Sequence, residues 1–158
     1  MKNIPLKVFI DTEFTSLINP KLISIGLVAE TGEEAYFEIP FDRTICSEFV
    51  RDVVIPLLLQ DQITLISSDL LKDKIVQWLK LVKATEQKVE ICFDHEYDWM
   101  LFFEVVGDVS WINPRNIDYE LSLLLLEDFY ATNKLAEHFA LNDARANAFA
   151  FRERKTIG

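Results

Sequence analysis

The feature that most constrains the fold is a short apolar run at residues 7–10 that leads directly into two acidic residues, Asp11 and Glu13. A run of β-forming residues without polar alternation is typical of a strand buried on both faces. Asp11 and Glu13 are two positions apart, so both carboxylates point to the same face if the strand continues through them. Because adjacent like charges repel, the pair predicts either a bound cation or an ordinary solvated strand end.

The remaining apolar patterns predict a hairpin followed by helices that alternate with strands. Strands are predicted at residues 22–28 and 35–39, with Gly32 in the turn between them. The other predicted elements are helices at residues 47–59, 68–82 (with Ser68 as N-cap), 98–106, 134–139 and 143–155, and strands at residues 89–93 and 116–119. Residues 121–126 are apolar, but periodicity does not assign them to a helix or a strand. This order predicts an α/β fold with a mixed sheet and an N-terminal β-hairpin, flanked by helices.

Length and composition predict one intracellular domain. The chain has 158 residues, half of them hydrophobic, which fits a single domain spanning residues 1–158. Cys46 and Cys92 lie in apolar segments without metal-ligand spacing, so both are expected to be reduced core residues. Residues 1–5 lack the pattern of a signal peptide, and no apolar run approaches the roughly 20 residues that span a bilayer. A cytoplasmic protein with no membrane partner is therefore expected.

The net charge of −10 argues against a protein that binds duplex nucleic acid irrespective of sequence. Such proteins gain affinity by placing Lys and Arg on phosphates. If several carboxylates converge on divalent cations, however, the bound metal neutralises charge and becomes the phosphate-binding element. Acidity is therefore compatible with a metal-dependent nuclease without indicating one.

The wider segment around the acidic pair resembles a known motif. Residues 10–17 read IDTEFTSL and residues 22–26 read LISIG. Together they resemble the first motif of the DEDDh-type 3′-to-5′ exonucleases of the ribonuclease H-like superfamily, in which D-T-E-T-T-G-L precedes an I-x-I-G strand. This superfamily includes oligoribonuclease, ribonuclease T and the proofreading subunit of DNA polymerase III. Phe14 replaces the usual Thr and Ser16 the usual Gly, and the D-T-E-F form looks closest to small bacterial exoribonucleases.

A second segment, residues 138–148 (HFALNDARANA), resembles the H-x-A-L-x-D-A-x-x-x-A pattern of the same family. On one α-helix, His138 and Asp143 would be about 140° apart, because each residue turns the helix by about 100°. They cannot share one helical face. The resemblance implies that His138 lies in the turn before the last helix and Asp143 in its first turn. The alternative is a surface histidine beside an aspartate that caps a helix.

The third resemblance, at residues 91–102 (ICFDHEYDWMLF), is to the family pattern H-N-x-x-F-D-x-x-F-L. This register selects Asp98, with Tyr97 at the aromatic position. Phe93 and Asp94 depart from the pattern, so Asp94 and Glu96 remain alternatives to Asp98. His95 is interpreted as a loop residue that supports the site.

The resemblance implies a two-metal exonuclease on a ribonuclease H-like sheet. Asp11 would bridge two Mg²⁺ or Mn²⁺ ions, Glu13 and Asp143 would complete one coordination shell, and Asp98 would act on the other ion through water. The catalytic residues would be Glu13, through the metal that it holds, and His138. His138 would be the general base, because an imidazole can accept a proton near neutral pH. The substrate would be the 3′ end of a single strand, with RNA favoured over DNA, hydrolysed to nucleoside monophosphates. A homodimer is also expected from the resemblance.

Four residues are predicted to bind the substrate. Phe14, Leu17 and Tyr97 could stack on or between the last bases, although a core position explains Phe14 and Tyr97 equally well. Arg145 is the predicted basic contact on the last helix. The other cations of that region, Arg152, Arg154 and Lys155, fit a solvated helix end.

Two other functions are compatible with parts of the sequence. Residues 8–15 (VFIDTEFT) superficially resemble the nucleophile strand of haloacid-dehalogenase-type phosphatases, but Glu13 stands where those enzymes have a second Asp. The segment around His138 has no place in that mechanism. A nuclease-like fold that serves as a non-catalytic interaction module is the second alternative, and the presence of all five catalytic side chains argues against it.

Overall fold

The computed structural model describes residues 4–154, which fold around a five-stranded mixed sheet. In these residues the strands and α-helices are β1 Leu6–Phe14, β2 Leu22–Ala29, β3 Glu34–Glu38, α1 Ser68–Val82, β4 Val89–Phe93, α2 Glu96–Val106, β5 Ile112–Asn116, α3 Leu123–Asn133 and α4 Ala140–Ala150. The strand order is β3-β2-β1-β4-β5, with β1 antiparallel to β2 and parallel to β4. The predicted α/β class, the mixed sheet and the N-terminal hairpin are confirmed.

The two faces of β1 belong to different parts of the molecule. Val8 and Ile10 point into the main core, where α1 contributes Leu71, Ile75 and Leu79 and α2 contributes Leu101 and Phe102. Phe9 points to the opposite face and packs with Cys92 and Ile117 near Phe151. On that face α4 lies against β1 and β2, and α3 packs on α4. Asp11 and Glu13 continue the alternation of Phe9 and therefore lie on the α4 side.

Gly26 allows α4 to approach the sheet. It pairs with Asp11 across β1 and β2. A Cβ atom at Gly26 would lie 2.5 Å from the Leu141 Cα atom and 2.7 Å from the Ala140 carbonyl carbon, which is closer than real side chains come. The fully buried Ala140 and Ala144 supply the matching small surface of the helix. The first turn of α4 is therefore held directly over the strand segment that carries Asp11.

The main corrections to the predicted elements concern the C-terminal third. Residues 134–139 are not a helix: Lys134 ends α3 with a left-handed φ of 53°, and residues 137–138 form a turn in which His138 has a φ of 67°. The last helix begins at Ala140 rather than residue 143 and ends at Ala150, so its predicted continuation is wrong as far as residue 154. Lys155 lies outside the described residues. The unassigned run at residues 121–126 contributes the start of α3.

Two other predicted segments differ in type or position. The strand predicted at residues 116–119 is instead β5, Ile112–Asn116, an edge strand in which only Ile112 is buried, and a 3₁₀ turn at Asp118–Glu120 follows it. The helix predicted at residues 47–59 is reduced to a π-helical turn, Val50–Val54, and a 3₁₀ turn, Ile55–Leu57. Pro56 lies in that last turn, where its missing N–H group prevents continuation of the helical hydrogen bonds.

The start of α1 and the state of the two cysteines were also predicted from the sequence. The N-cap of α1 is Ser67 rather than Ser68, since the Ser67 hydroxyl accepts the N–H of Asp69. Cys46 and Cys92 are buried and unpaired, as predicted. Among residues 4–154, no helix combines the length and the apolar character needed to cross a bilayer.

Candidate active site

Two of the four predicted acidic ligands, Asp11 and Asp143, line one cleft on the α4 side of the sheet. Asp98 is buried behind it, within ligand distance of Asp11. The cleft has a volume of about 310 Å³ and is lined by residues of β1, α3, α4 and the turns beside them, namely Asp11, Asp94, Leu126, Glu127, Tyr130, Glu137, His138, Asp143 and Asn147. Glu13 adjoins it through its contact with Asp143 and His138. The carboxylates come from distant parts of the chain, so the fold rather than local sequence brings them together.

The first group in the cleft consists of Glu13, His138 and Asp143, whose potential ligand atoms lie within 4.8 Å of one another. Asp143 is in the first turn of α4 and His138 in the turn before it, the arrangement that the resemblance implied. The Asp143 carboxylate is held from two sides. Its Oδ2 accepts the backbone N–H of His138 at 3.0 Å, and its Oδ1 accepts the hydroxyl of Tyr130 from α3.

The second group consists of Asp11, Asp94 and Asp98, again with potential ligand atoms within 4.8 Å of one another. Asp98, in the first turn of α2, is only 2% exposed. Its Oδ1 accepts both the hydroxyl of Thr12 at 2.6 Å and the backbone N–H of Thr12 at 3.2 Å. Its Oδ2 is buried and has no hydrogen-bond partner, which is costly for a carboxylate unless a cation or proton satisfies it.

Burial and mutual repulsion raise the pKa values of these carboxyl groups. Burial is the largest cause for Glu13, whose pKa rises to about 9 with help from Asp143 and Asp98. Burial likewise raises the pKa of Asp98 to about 7 and that of Asp143 to about 6, although hydrogen bonds from Thr12 and Tyr130 oppose these shifts. The pKa of Asp11 is raised by burial and by the charges of all four neighbouring carboxylates. Asp11 therefore links the two groups electrostatically.

This donor set fits divalent cations. Clustered carboxylates suit Mg²⁺ and Mn²⁺, which prefer oxygen ligands. The orphaned Oδ2 of Asp98 and the repulsion between the carboxylates are both relieved by a bound cation. Asp11, Glu13, Asp98 and Asp143 would hold such ions.

His138 stands at the edge of the cleft, with 43% of its side chain exposed. Its ring packs edge-on against Phe49 with a centroid distance of 5.0 Å, and its Nε2 lies 3.9 Å from a Glu137 carboxylate oxygen. The ring is therefore oriented on one side and open to solvent on the other. A histidine in this position can exchange a proton with a substrate or water in the cleft.

An apolar surface adjoins the cleft on the Phe49 side. Leu17, Ile18, Phe49 and Val50 line a hollow of about 420 Å³ together with Ser16 and Ser47. Leu17 is 67% exposed, whereas Phe14 is partly buried and packs edge-on against Tyr97 at 5.6 Å. The Tyr97 hydroxyl donates to the Leu17 carbonyl at 3.0 Å and so ties this segment to α2. Three of the four predicted substrate-binding residues thus lie together.

Arg145, the fourth predicted substrate-binding residue, is not among the residues that line the cleft. Its guanidinium donates to both carboxylate oxygens of Glu34, at 2.6 and 2.9 Å, and to Asn142 at 3.0 Å. These contacts join α4 to β3. A substrate contact would have to compete with them.

The remaining motif residues have local structural partners. His95 is the N-cap of α2, since its Nδ1 accepts the N–H of Tyr97 at 3.1 Å. Glu96 accepts from the Asn116 side chain at 2.9 Å and is not in either acidic group. Asp94, left open as an alternative to Asp98, lies beside it instead of replacing it.

Sequence analysis missed three residues that shape the site. Tyr130 lies between the unassigned run at residues 121–126 and the helix predicted at residues 134–139, where no element was predicted. Phe49 lies in a segment predicted as an ordinary helix, and Thr12 lies between the two acids of the first motif. The alternation of β1 puts Thr12 on the face opposite to Asp11, which is the only signal that could have indicated its contact with α2.

The fold is shared with known 3′-exonucleases. The nuclease domain of 3'hExo, a DEDDh family member bound to rAMP, is 16% identical, with a TM-score of 0.57 over 95% of this chain and 96% of its own. A full-length 3'-exonuclease is 15% identical, with a TM-score of 0.55 over 93% of this chain and 80% of its own. A 3'-exonuclease that recognises the 3' end of a histone mRNA stem-loop is 17% identical, with a TM-score of 0.56 over 94% of this chain and 80% of its own.

These likenesses show the fold and confirm the expected ribonuclease H-like architecture of DEDDh 3′-exonuclease domains. No protein-family model matches the chain, and comparison with curated protein sequences gives no significant match.

Proposed function

We propose that this chain is a divalent-metal-dependent 3′-to-5′ exonuclease whose single domain spans residues 1–158. The observation that carries the proposal is that Asp11, Glu13, Asp98, Asp143 and His138 fall into two groups of potential metal ligands at one cleft, which Asp11, His138 and Asp143 line. The shared fold supports it, because the structures with which the chain aligns are themselves 3′-exonucleases. A non-catalytic module would have no need for this set of mutually repelling carboxylates.

Each residue has a role that its position allows. Two divalent cations, when bound, would stabilise charge on the attacking and leaving oxygens of an in-line displacement at phosphorus. Asp11 belongs to the group with Asp98 and is coupled electrostatically to Glu13 and Asp143. It would therefore contribute to both ions, with Glu13 and Asp143 completing the ligands of one and Asp98 those of the other. His138 is the general base: its exposed ring accepts the proton of the attacking water. Phe49 restricts the ring's orientation, and Tyr130 holds Asp143 in place.

The proposed substrate is the 3′ end of a single strand, with RNA favoured over DNA, and the products are nucleoside monophosphates. The apolar hollow beside His138 could receive a terminal base, with Leu17 and Phe14 as stacking surfaces and Tyr97 supporting them. Two of the aligned structures are bound to rAMP or recognise an mRNA stem-loop, which favours RNA. Arg145 is proposed to contact the strand only if its pair with Glu34 opens. The chain is also proposed to form a homodimer and to act in the cytoplasm.

Time-resolved degradation of matched 5′-labelled RNA and DNA oligonucleotides, with Mg²⁺, Mn²⁺ or a chelator, tests the function. Stepwise shortening from the 3′ end with release of mononucleotides is expected only when metal is present. Blunt duplexes should resist. Rapid cutting of a circular single strand would overturn the exonuclease assignment, and turnover of phosphomonoesters alone would indicate a phosphatase.

A further inference from the structure

Asp94 occupies a position that the proposed set of four metal ligands does not use. It directly follows β4, which runs parallel to β1 with Phe9 paired to Cys92. Asp11 and Asp94 each lie two residues beyond that pair, so strand pairing brings the two backbone segments together at the carboxyl ends of β1 and β4. The two carboxylates have potential ligand atoms within 4.8 Å of each other.

Asp98 supplies independent evidence for a ligand at this point. It is 2% exposed, and both hydrogen bonds from Thr12 reach its Oδ1 atom. Its Oδ2 atom is buried and accepts no N–H or hydroxyl donor among the described residues. The neighbouring Asp94 carboxyl can bond to Asp98 only if the two share a proton. A buried, unpartnered carboxylate oxygen beside two further carboxylates needs positive charge, and the group of Asp11, Asp94 and Asp98 contains no basic side chain.

We propose that Asp94 is a fifth carboxylate ligand, which shares with Asp11 and Asp98 the cation on the α2 side of the cleft. This inference rests on the proposed function for the presence of two cations. Asp94 and Asp98 act together here, so the second motif contributes two carboxylates to the site. Glu13 and Asp143 hold the other cation with Asp11.

The arrangement predicts that the cation on the α2 side is bound more firmly than the cation held by Glu13 and Asp143. Each additional carboxylate adds an oxygen donor and a negative charge, and both strengthen binding of a hard divalent cation. Replacing Asp94 by Asn keeps its shape and removes the charge. The loss should affect one cation and spare the cation held by Glu13 and Asp143.

Titration of Mn²⁺ into the full chain, followed by calorimetry and by the electron paramagnetic resonance signal of free Mn²⁺, tests the assignment without an activity measurement. The wild type should bind two ions. In Asp94→Asn, the affinity for one ion should fall at least ~10-fold, the smaller end of the loss seen when a ligand's supporting contact is removed. Glu96→Gln is the matched control, since it removes an acid two residues away that bonds to Asn116.

Metal-free thermal unfolding establishes that the variants are folded. Asp94→Asn should melt at the wild-type temperature or above it, because one source of repulsion is gone. Unchanged affinities for both ions in Asp94→Asn, or an equal loss in Glu96→Gln, would overturn the assignment of Asp94. If Mn²⁺ binding depends on Asp94 while the wild type releases no mononucleotides, the exonuclease proposal fails and Asp94 remains a metal ligand.

Discussion

The two acidic groups of the cleft are built in different ways. Asp11 lies in β1, Asp94 directly follows β4, and Asp98 starts α2, where two hydrogen bonds from Thr12 of β1 hold it. In the other group Glu13 also lies in β1, but His138 and Asp143 depend on a turn with a left-handed residue and on a tyrosine from α3. The group of Asp11, Asp94 and Asp98 is therefore built on the sheet and the start of α2, whereas His138 and Asp143 are supplied by elements that pack onto the sheet.

This difference separates two tasks. A site anchored in the sheet keeps its geometry because strand register leaves little freedom, and it suits a firmly held ion. A site at a turn, with a half-exposed histidine, can adjust as substrate enters and product leaves. We call the group of Asp11, Asp94 and Asp98 the sheet side of the cleft, and His138 and Asp143 with their supports the turn side. We expect substitutions on the sheet side to act mainly through metal binding, and those on the turn side to act mainly on turnover.

The largest effect is expected where the two groups meet. Asp11→Asn should abolish hydrolysis, because Asp11 is placed to serve both cations, and Asp143→Asn should do the same by removing a ligand of one. Neither should unfold the protein, and in the absence of metal both should melt at the same temperature or higher, since a repelling charge is removed. Mononucleotide release and thermal unfolding measure the two effects. Near-wild-type activity in both variants would contradict the two-metal proposal.

A smaller but still large effect is expected at the base. His138→Ala should lose on the order of 10²- to 10⁴-fold in kcat, the usual contribution of a positioned general base, while Mn²⁺ affinity changes little. The rise of kcat with pH on the acidic side of the wild-type profile should disappear in the variant. Kinetics at saturating metal, from acidic to alkaline pH, would measure this.

His95→Ala is the internal control for His138, because His95 caps α2 and packs against Tyr97 but belongs to neither acidic group. Its kcat should stay within a few-fold of the wild-type value, because losing an N-cap costs about 1 kcal/mol of stability and removes no reacting group. Full turnover and an unchanged pH profile in His138→Ala would make that histidine structural.

An intermediate effect should distinguish the turn side from the sheet side. Tyr130→Phe removes the hydroxyl that donates to Asp143 and leaves the ring in place. Loss of such an orienting contact commonly costs about 10- to 100-fold in metal affinity or activity. Tyr119→Phe is the matched control, since Tyr119 is 79% exposed. Equal behaviour of the two variants in Mn²⁺ titrations and kinetics would show that Asp143 needs no support from α3.

The smallest effect is a pH dependence of metal binding and stability. The raised pKa values, about 6 for Asp143, about 7 for Asp98 and about 9 for Glu13, mean that bound protons must leave before a cation enters. The apparent Mn²⁺ affinity should therefore rise from pH 6 to 9. Folding raises these pKa values, so the metal-free folded state binds protons more tightly than the unfolded state and is favoured at low pH. The melting temperature of the metal-free protein should therefore fall as the pH rises over the same interval.

Calorimetry in buffers of different ionisation enthalpy would count the released protons. Glu13→Gln should weaken the alkaline part of the pH dependence, because burial and the charges of Asp143 and Asp98 raise the pKa of the Glu13 carboxyl group to about 9. A wild-type affinity that does not change with pH would indicate that the carboxylates are already ionised in the empty cleft.

The sheet side was also the more predictable from sequence. The apolar run of β1, the hairpin and α1 follow from local periodicity, and the positions of Asp11 and Asp98 from recognisable motifs. Around His138 and Asp143 the motif implied a turn before the last helix, but local propensity predicted a helix there. Residues 134–139 contain good helix formers, but α3 ends at the left-handed Lys134, and the Asp143 carboxylate accepts the His138 N–H across the turn. Tertiary contacts override propensity there.

The pairing of Asp94 with Asp98 and the edge strand β5 show a second limit. Aligning the sequence with the family motif selects one of the two acids, Asp94 or Asp98, as the functional residue. In the fold both acids lie close together beside Asp11. β5 contains Pro114 and two asparagines, residues that strands disfavour, and it pairs with β4 on one side only. Local sequence carries too little information in both cases, because the determining partners are distant along the chain.

The proposed metal ligands come from opposite ends of the described chain, which would affect how the protein unfolds. Asp11 lies in the first strand and Asp143 in the last helix, so cations bound by both would close nearly the whole domain into a loop. Such a cross-link leaves the intervening chain little freedom until the metal departs, as a long-range disulfide does, but reversibly. The metal-loaded protein should therefore resist proteases far longer than the empty one. Depletion of divalent cations would then limit the lifetime of the protein as well as its activity.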